Sequence, residues 1–181
     1  LIDWDNKVME LDGKTIDVVW NGMTLTEDVL AAMECSQPYL INQQVVVVPA
    51  DVAEDYQTEE SLADLNFAVE IGSAGCEVAQ ANGYSYTEVA DQATALLEVA
   101  SGTADAAIID SLMAGAMIGE GTSYADMTST VALTSEEYGV GFRKGSDLAA
   151  TLNEFLSGKY ADGSIQTLAE TYGVQDALVG N

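Results

Sequence analysis

Three short stretches carry groups suited to binding chemistry. The run Ala104 to Ile109, read as a buried strand, ends in Asp110, so a carboxylate stands where a strand meets a helix, the place where open α/β sheets hold ligands. The same residue is placed to cap the helix that begins at Ser111. Phe67 to Ile71 runs into Gly72-Ser73-Ala74-Gly75 and then a helical segment. Free backbone N–H groups at such a helix start form an anion site, although an ordinary glycine-rich turn accounts for the same four residues. Near the beginning, Asn21-Gly22-Met23-Thr24 follows another apolar run, and Thr24 or Thr26 can cap the next helix.

Catalysis finds little to work with. The sequence contains no His, which removes the commonest general base and the commonest metal ligand. Ser73 has neither His nor a nearby Lys to activate it, so a serine nucleophile is not expected. Cys35 and Cys76 lie far apart in unlike contexts and fit neither a CxxC motif nor a zinc site. They read as small buried hydrophobes, with a disulfide left open. No metal, cofactor or enzymatic activity is expected.

The elements that must position these groups alternate between strand and helix. Thr15 to Trp20 reads as a buried strand, followed by a helix to Ala32 or Met33 with Glu27 and Asp28 in its first turn. A second β run, Gln44 to Val48, stops at Pro49. After the polar stretch 51–60 and the short turn Ser61 to Leu65 comes the strand Phe67 to Ile71. Helices are expected from Gly75 to Asn82 and from Glu88 to Ala100, closed by Gly83 and Gly102. The strand ending at Ile109 follows, then a helix to Ile118, a strand Tyr138 to Phe142, and helices from Ser146 to Leu156 and from Ser164 to Gly173. This alternation predicts an α/β fold with largely parallel sheets.

Asp and Glu number 30 against 5 Lys and Arg, a formal net charge of -25. Such a field repels phosphate backbones and anionic lipid, so nucleic acid is excluded as a partner. It favours cationic or zwitterionic solutes weakly, because salt screens charge beyond about 8–10 Å. With 48% hydrophobic residues the chain should fold, and no window approaches the roughly 18 apolar residues of a membrane span.

The chain resembles the periplasmic-type solute-binding proteins that deliver polar amino acids to ABC importers. The resemblance covers nearly the whole sequence. It is carried by LDGKTIDVVWNGMTLT at residues 11–26, CSQPY at 35–39, SLADLNFAVEIGSAG at 61–75, ALLEVASGTADAAIIDS at 95–111 and EEYGVGFRKGSDL at 136–148. It implies a two-lobed, type II fold with the solute in the cleft between lobes: lobe one from residues 1–43 plus 144–181, lobe two from 49–137, and hinge crossovers at 44–48 and 138–143. Closure is then hinge motion about the crossovers. It also implies that the chain begins late, without the first strand–helix unit of lobe one, which strand exchange in a homodimer or a further segment would complete, or which stays missing. The resemblance further implies an ABC permease as partner and a periplasmic or outer-surface, lipid-anchored location.

Residue by residue, the resemblance assigns Asp110 to a ligand ammonium and the turn Ser73, Ala74 and Gly75 to its carboxylate. Asn21, Gly22, Met23 and Thr24 form the lobe-one wall, Glu70 faces a side-chain pocket or solvent, and Trp20 packs in the core. Val29 departs from the family, which usually carries Arg there to fork onto a carboxylate. The implied solute is a small polar amino acid or related amine. Val29 and the late start favour the alternative of a relative that has lost its solute and serves as a surface protein.

Overall fold

The computed structural model describes residues 3–179. A 3-10 turn at Trp4–Asn6 leads into α1 (Lys7–Asp12), β1 (Val18–Thr24), α2 (Glu27–Ala32), β2 (Met33–Cys35), β3 (Leu40–Asn42) and β4 (Gln44–Pro49). Then come β5 (Asn66–Glu70), α3 (Ala74–Asn82), β6 (Ser85–Val89), α4 (Gln92–Ser101), β7 (Ala106–Asp110), α5 (Ser111–Met117) and β8 (Met127–Ala132). The chain closes with β9 (Glu136–Arg143), α6 (Leu148–Ala161) and α7 (Ser164–Tyr172). It divides into two compact units. Unit 1 takes residues 6–42 and 136–179, and unit 2 takes residues 3–5 and 43–135.

In unit 1 the long strand β9 lies between β1 and β2 and also pairs with β3, each time antiparallel. Gly139 and Gly141 let it do so. A Cβ at Gly139 would stand 2.5 Å from Leu25 Cδ2, and one at Gly141 2.5 Å from the Met33 sulfur, so the two glycines make room for unit 1's own core. Past β9, Arg143 donates to the carbonyls of Leu11 at 3.2 Å and Ile16 at 2.8 Å and to Asp17 at 2.8 Å. Lys144 donates to the carbonyls of Leu30 and Met33, both at 3.0 Å, where α2 ends and its dipole favours a cation. Two of the chain's few basic side chains thus hold backbone together.

Unit 2 is a five-stranded sheet in the order β6-β5-β7-β4-β8. β4 is buried at every residue from Gln44 to Val48, as a strand covered on both faces must be. Its valines divide by parity: Val45 and Val47 pack with Ala95, Leu96 and Val99 of α4, whereas Val46 and Val48 pack with Cys76 and Ala79 of α3. The two helices therefore cover opposite faces. Strand order explains why. The chain leaves β5 through α3 to reach β6 on one side, then returns through α4 to β7 on the other, and right-handed crossovers in opposite directions place helices on opposite faces. Cys35 and Cys76 are both free thiols, the first half-buried and the second buried.

Several sequence expectations need correction. The sheets are not largely parallel: β5 runs parallel to β6 and β7, but the pairs made by β4 and β9 are antiparallel. Strand–helix alternation does not encode the sense in which β9 returns to the unit that the chain left at Asn42. β1 starts later than expected and runs to Thr24. Thr15 and Ile16 are held in a turn by their amides on the Glu10 carbonyl, while a bulge carries the ladder on past Asn21 and Gly22. Trp20 is not core but 54% exposed, because the strand turns Val19 inward, at 5%. The helix expected from Glu88 starts at Gln92, since β6 occupies Ser85–Val89 and Asp91 caps the helix through the Thr94 amide at 2.7 Å. Four strands, β2, β3, β6 and β8, escaped the sequence reading because each is short or carries an exposed face.

Candidate functional site

The switch point of unit 2's sheet lies between β5 and β7, whose connections leave in opposite directions. Parallel strands end on the same edge, so Glu70 at the end of β5 and Asp110 at the end of β7 stand together on the carboxyl edge, the ligand position of open α/β sheets. Gln92, the first residue of α4, joins them. Its Nε2 donates to Asp110 Oδ2 at 2.5 Å and also to the Glu70 carboxylate, while its Oε1 accepts the Asp110 amide at 3.1 Å. Gln44 Nε2 donates to Asp110 Oδ1 at 2.6 Å. On the far side of Glu70, the Trp4 indole donates to Oε1 at 3.1 Å.

Asp110 occupies the N-cap position of α5 without making a side-chain cap bond, so its carboxylate is aimed at the glutamines. Burial pushes the Glu70 carboxyl up, and Asp110 and Asp91 push the same way against the bonds from Trp4 and Gln92. Asp91 is held below the usual carboxylate range by its bonds from the Thr94 hydroxyl and amide.

Ser73 caps α3, its Oγ accepting from the Cys76 amide at 3.2 Å. That leaves the amides of Ala74 and Gly75 without intrahelical acceptors, as in the first turn of any helix. Gly75 is pressed against the sheet: a Cβ there would meet the Ile108 carbonyl at 2.9 Å and Gln44 Oε1 at 3.0 Å. Glu70, Ser73, Ala74, Gly75 and Asp110 are thus brought together within unit 2.

In unit 1, Asn21, Gly22, Met23 and Thr24 sit at the β1 bulge, with Gly22 at φ +63 and the Tyr138 ring 3.4 Å from where its Cβ would be. Met23 is 1% exposed and belongs to the core, whereas Asn21 is exposed. The Tyr39 phenol receives hydrogen bonds from Trp20 and the Gly22 backbone, with burial raising its pKa. The α2 cap is Thr26, through the Val29 amide at 3.2 Å, and not Thr24. Val29 is 6% exposed and belongs to the core.

Sequence reasoning missed Trp4, Gln44 and Gln92. Gln44 opens a run of valines that must be buried, where a glutamine side chain needs partners, and that signal was readable. Trp4 and Gln92 reach Glu70 only through the tertiary fold. Among the described residues no group of three or more Cys, Asp or Glu is arranged to hold a metal, and no helix is long and apolar enough to cross a membrane.

Carboxylates gathered at the switch point of an α/β sheet define a class of small-molecule-binding fold. The chain belongs to the bacterial extracellular solute-binding proteins, family 3, which it matches over residues 1–175. The fold is the type II periplasmic-binding-protein fold. The L-cystine-binding protein TcyJ of Escherichia coli K12 is 27% identical over 172 residues, which are 93% of this chain and 64% of TcyJ. A solved mutant of ArgBP from T. maritima is 31% identical with a TM-score of 0.82, covering 94% of this chain and 75% of that one. A substrate-binding protein of an ABC uptake transporter from Streptococcus pneumoniae, solved with bound histidine, is 26% identical with a TM-score of 0.83, covering 99% and 76%. The chain spans just under two thirds of the length of TcyJ. The family is one of binding proteins, which agrees with the expectation that the chain is not an enzyme.

Proposed function

We propose that this protein is the solute-binding component of an ABC importer, working on the outer side of the membrane and taking a small polar amino acid or a related amine. The observation that carries this reading is the pair Glu70 and Asp110 at the switch point, held in place by Gln92. A carboxylate held by neutral amides presents acceptor oxygens suited to an ammonium. Asp110 is assigned to the cationic end of the solute. The α3 amides of Ala74 and Gly75, beside Ser73, are assigned to its other polar end. In unit 1 the Asn21–Gly22 bulge, with Met23 and Thr24 after it, supplies backbone groups suited to a polar solute. The two compact units are assigned as the two lobes of such a protein, and the partner is the importer's permease. Names of relatives support amino acids as the solute class, since TcyJ is described as L-cystine-binding and the Streptococcus pneumoniae protein was solved with histidine.

The test is a thermal-shift screen of the protein against polar amino acids and amines. A ligand-dependent rise in melting temperature that Asp110→Ala abolishes is the expected result. A flat response across the panel would sink the transport reading.

A further inference from the structure

The pleat of unit 2's sheet sends Glu70 and Asp110 in different directions. Successive residues of a strand point to opposite faces, and paired residues on neighbouring strands share a face. Phe67 pairs with Ala106 and Ala68 with Ala107, so the same register sets Glu70 on the face of Ile109 and Asp110 on the face of Ile108. The cores agree: Ile109 packs with α4, and Ile108 packs with Cys76 and Ala79 of α3. Gln44, the register partner of Asp110, donates to its Oδ1 from that second face.

Gln92 works from the first face, and it grips Asp110 at two points. The Asp110 amide donates to Gln92 Oε1 at 3.1 Å, while Gln92 Nε2 donates to Asp110 Oδ2 at 2.5 Å and to the Glu70 carboxylate. These bonds decide which way the Gln92 amide faces. Turned over, it would set its oxygen against two carboxylates and its NH2 group against the Asp110 N–H, losing all three bonds. A backbone amide thus orients the donor, and the donor orients both carboxylates.

The grip stands on a fixed element. Gln92 opens α4 directly after its cap, where the Asp91 carboxylate accepts from the Thr94 amide and hydroxyl, both at 2.7 Å. Ala95, Leu96 and Val99 of the same helix are buried against Ala68, Ala107 and Ile109. Gln92 itself is half-buried, so these apolar residues, and not Gln92, supply the packing of α4. Binding groups reach a narrow geometry when the side chains behind them are locked in this way.

We propose that Gln92 is a positioning residue of the solute site, its shared amide nitrogen drawing Asp110 and Glu70 from opposite faces of the sheet to one point for the cationic end of the solute. This rests on the solute-binding reading above and adds to it the residue that assembles the site.

The experiment is titration calorimetry of the unmodified protein, Gln92→Leu and Gln92→Glu at about pH 8 and about pH 5.5. The probes are L-arginine, L-histidine, L-cystine and putrescine, and the one that binds the unmodified protein most tightly is followed. Gln92→Leu removes acceptor and donor together and should weaken binding about tenfold or more at both pH values while its melting transition stays cooperative. Gln92→Glu keeps the acceptor but lacks the donor when ionised, and carries both when protonated, the form that neighbouring carboxylates favour. Its affinity relative to the unmodified protein should fall about tenfold at the higher pH and recover at least about threefold at the lower. That recovery is read within one variant and does not depend on how Gln92→Leu folds. A readout without solute is the Glu70 carboxyl titration followed by carbon NMR. The Gln92 bond holds it down, so Gln92→Leu should move it upward. Affinity of Gln92→Leu within about twofold of the unmodified protein overturns the proposal and leaves the solute-binding reading standing. An equal loss in Gln92→Glu at both pH values does the same, as does a Glu70 titration that stays in place. Silence of the unmodified protein toward all four probes overturns both readings together.

Discussion

Gln44 and Asp110 are register partners on antiparallel strands, the first residue of β4 opposite the last of β7, and Gln44 Nε2 donates to Asp110 Oδ1 across 2.6 Å. Gln44 is 1% exposed, and its Oε1 lies where it would meet any side chain at Gly75. One buried amide therefore bonds a carboxylate at the end of one strand and packs close to the start of α3. The bond helps to aim Asp110 at the end of β7.

Gln44→Leu keeps the volume and removes the donor. Losing a bond to a charged partner costs about 1.5–3 kcal/mol, so the urea midpoint should fall by a corresponding amount with an unchanged slope. Solute affinity should fall with it, because Asp110 loses one of the two glutamines that hold it. An unaltered midpoint would show that the bond contributes nothing to the fold.

Gly75→Ala tests the close approach of α3 to β7. The new methyl would sit 2.9 Å from the Ile108 backbone carbonyl, an atom that cannot swing aside. Overpacking of this kind costs about 1–3 kcal/mol, readable by chemical denaturation. The helix-propensity gain of Ala over Gly, about 1 kcal/mol, opposes it and is the smaller effect.

Glu70→Gln should raise the melting temperature near neutral pH. Burial lifts the Glu70 carboxyl above its ordinary value, so between the unfolded and folded pKa values the native state binds more protons and stability falls as pH rises. The neutral amide has no such term. Stability curves of the two proteins should converge near pH 4, where the wild-type group is protonated. A difference that persists unchanged into acid would mean that packing and not charge separates them. Gaining stability while losing affinity for a cation is the trade expected at a binding site.

Arg143→Met should destabilise by about 1–3 kcal/mol, because it leaves the Leu11 and Ile16 carbonyls without their donor. The ion pair with Asp17 contributes little, since the aspartate side chain is 83% exposed. Arg143→Lys should fail to restore stability, as a single ammonium cannot reproduce the guanidinium fork. Denaturant midpoints of the three proteins measure this directly, and full rescue by Lys would count against the fork.

Much of the fold was legible because apolar periodicity and capping residues are local signals. The valine run at 45–48, the run ending at Asp110, the Gly83 and Gly102 helix ends, and Thr26 as one of two cap candidates all act within a few residues of themselves. The sequence by itself also determined that residues 43–135 carry no basic side chain. Only the tertiary structure decided the rest. Strand direction depends on where β9 returns, and the outward turn of Trp20 depends on the register of β1 against it. The meeting of Trp4, Glu70, Gln92 and Asp110 joins residues 18 to 106 positions apart. Contacts that distant are set by strand order and helix packing, which no local pattern encodes.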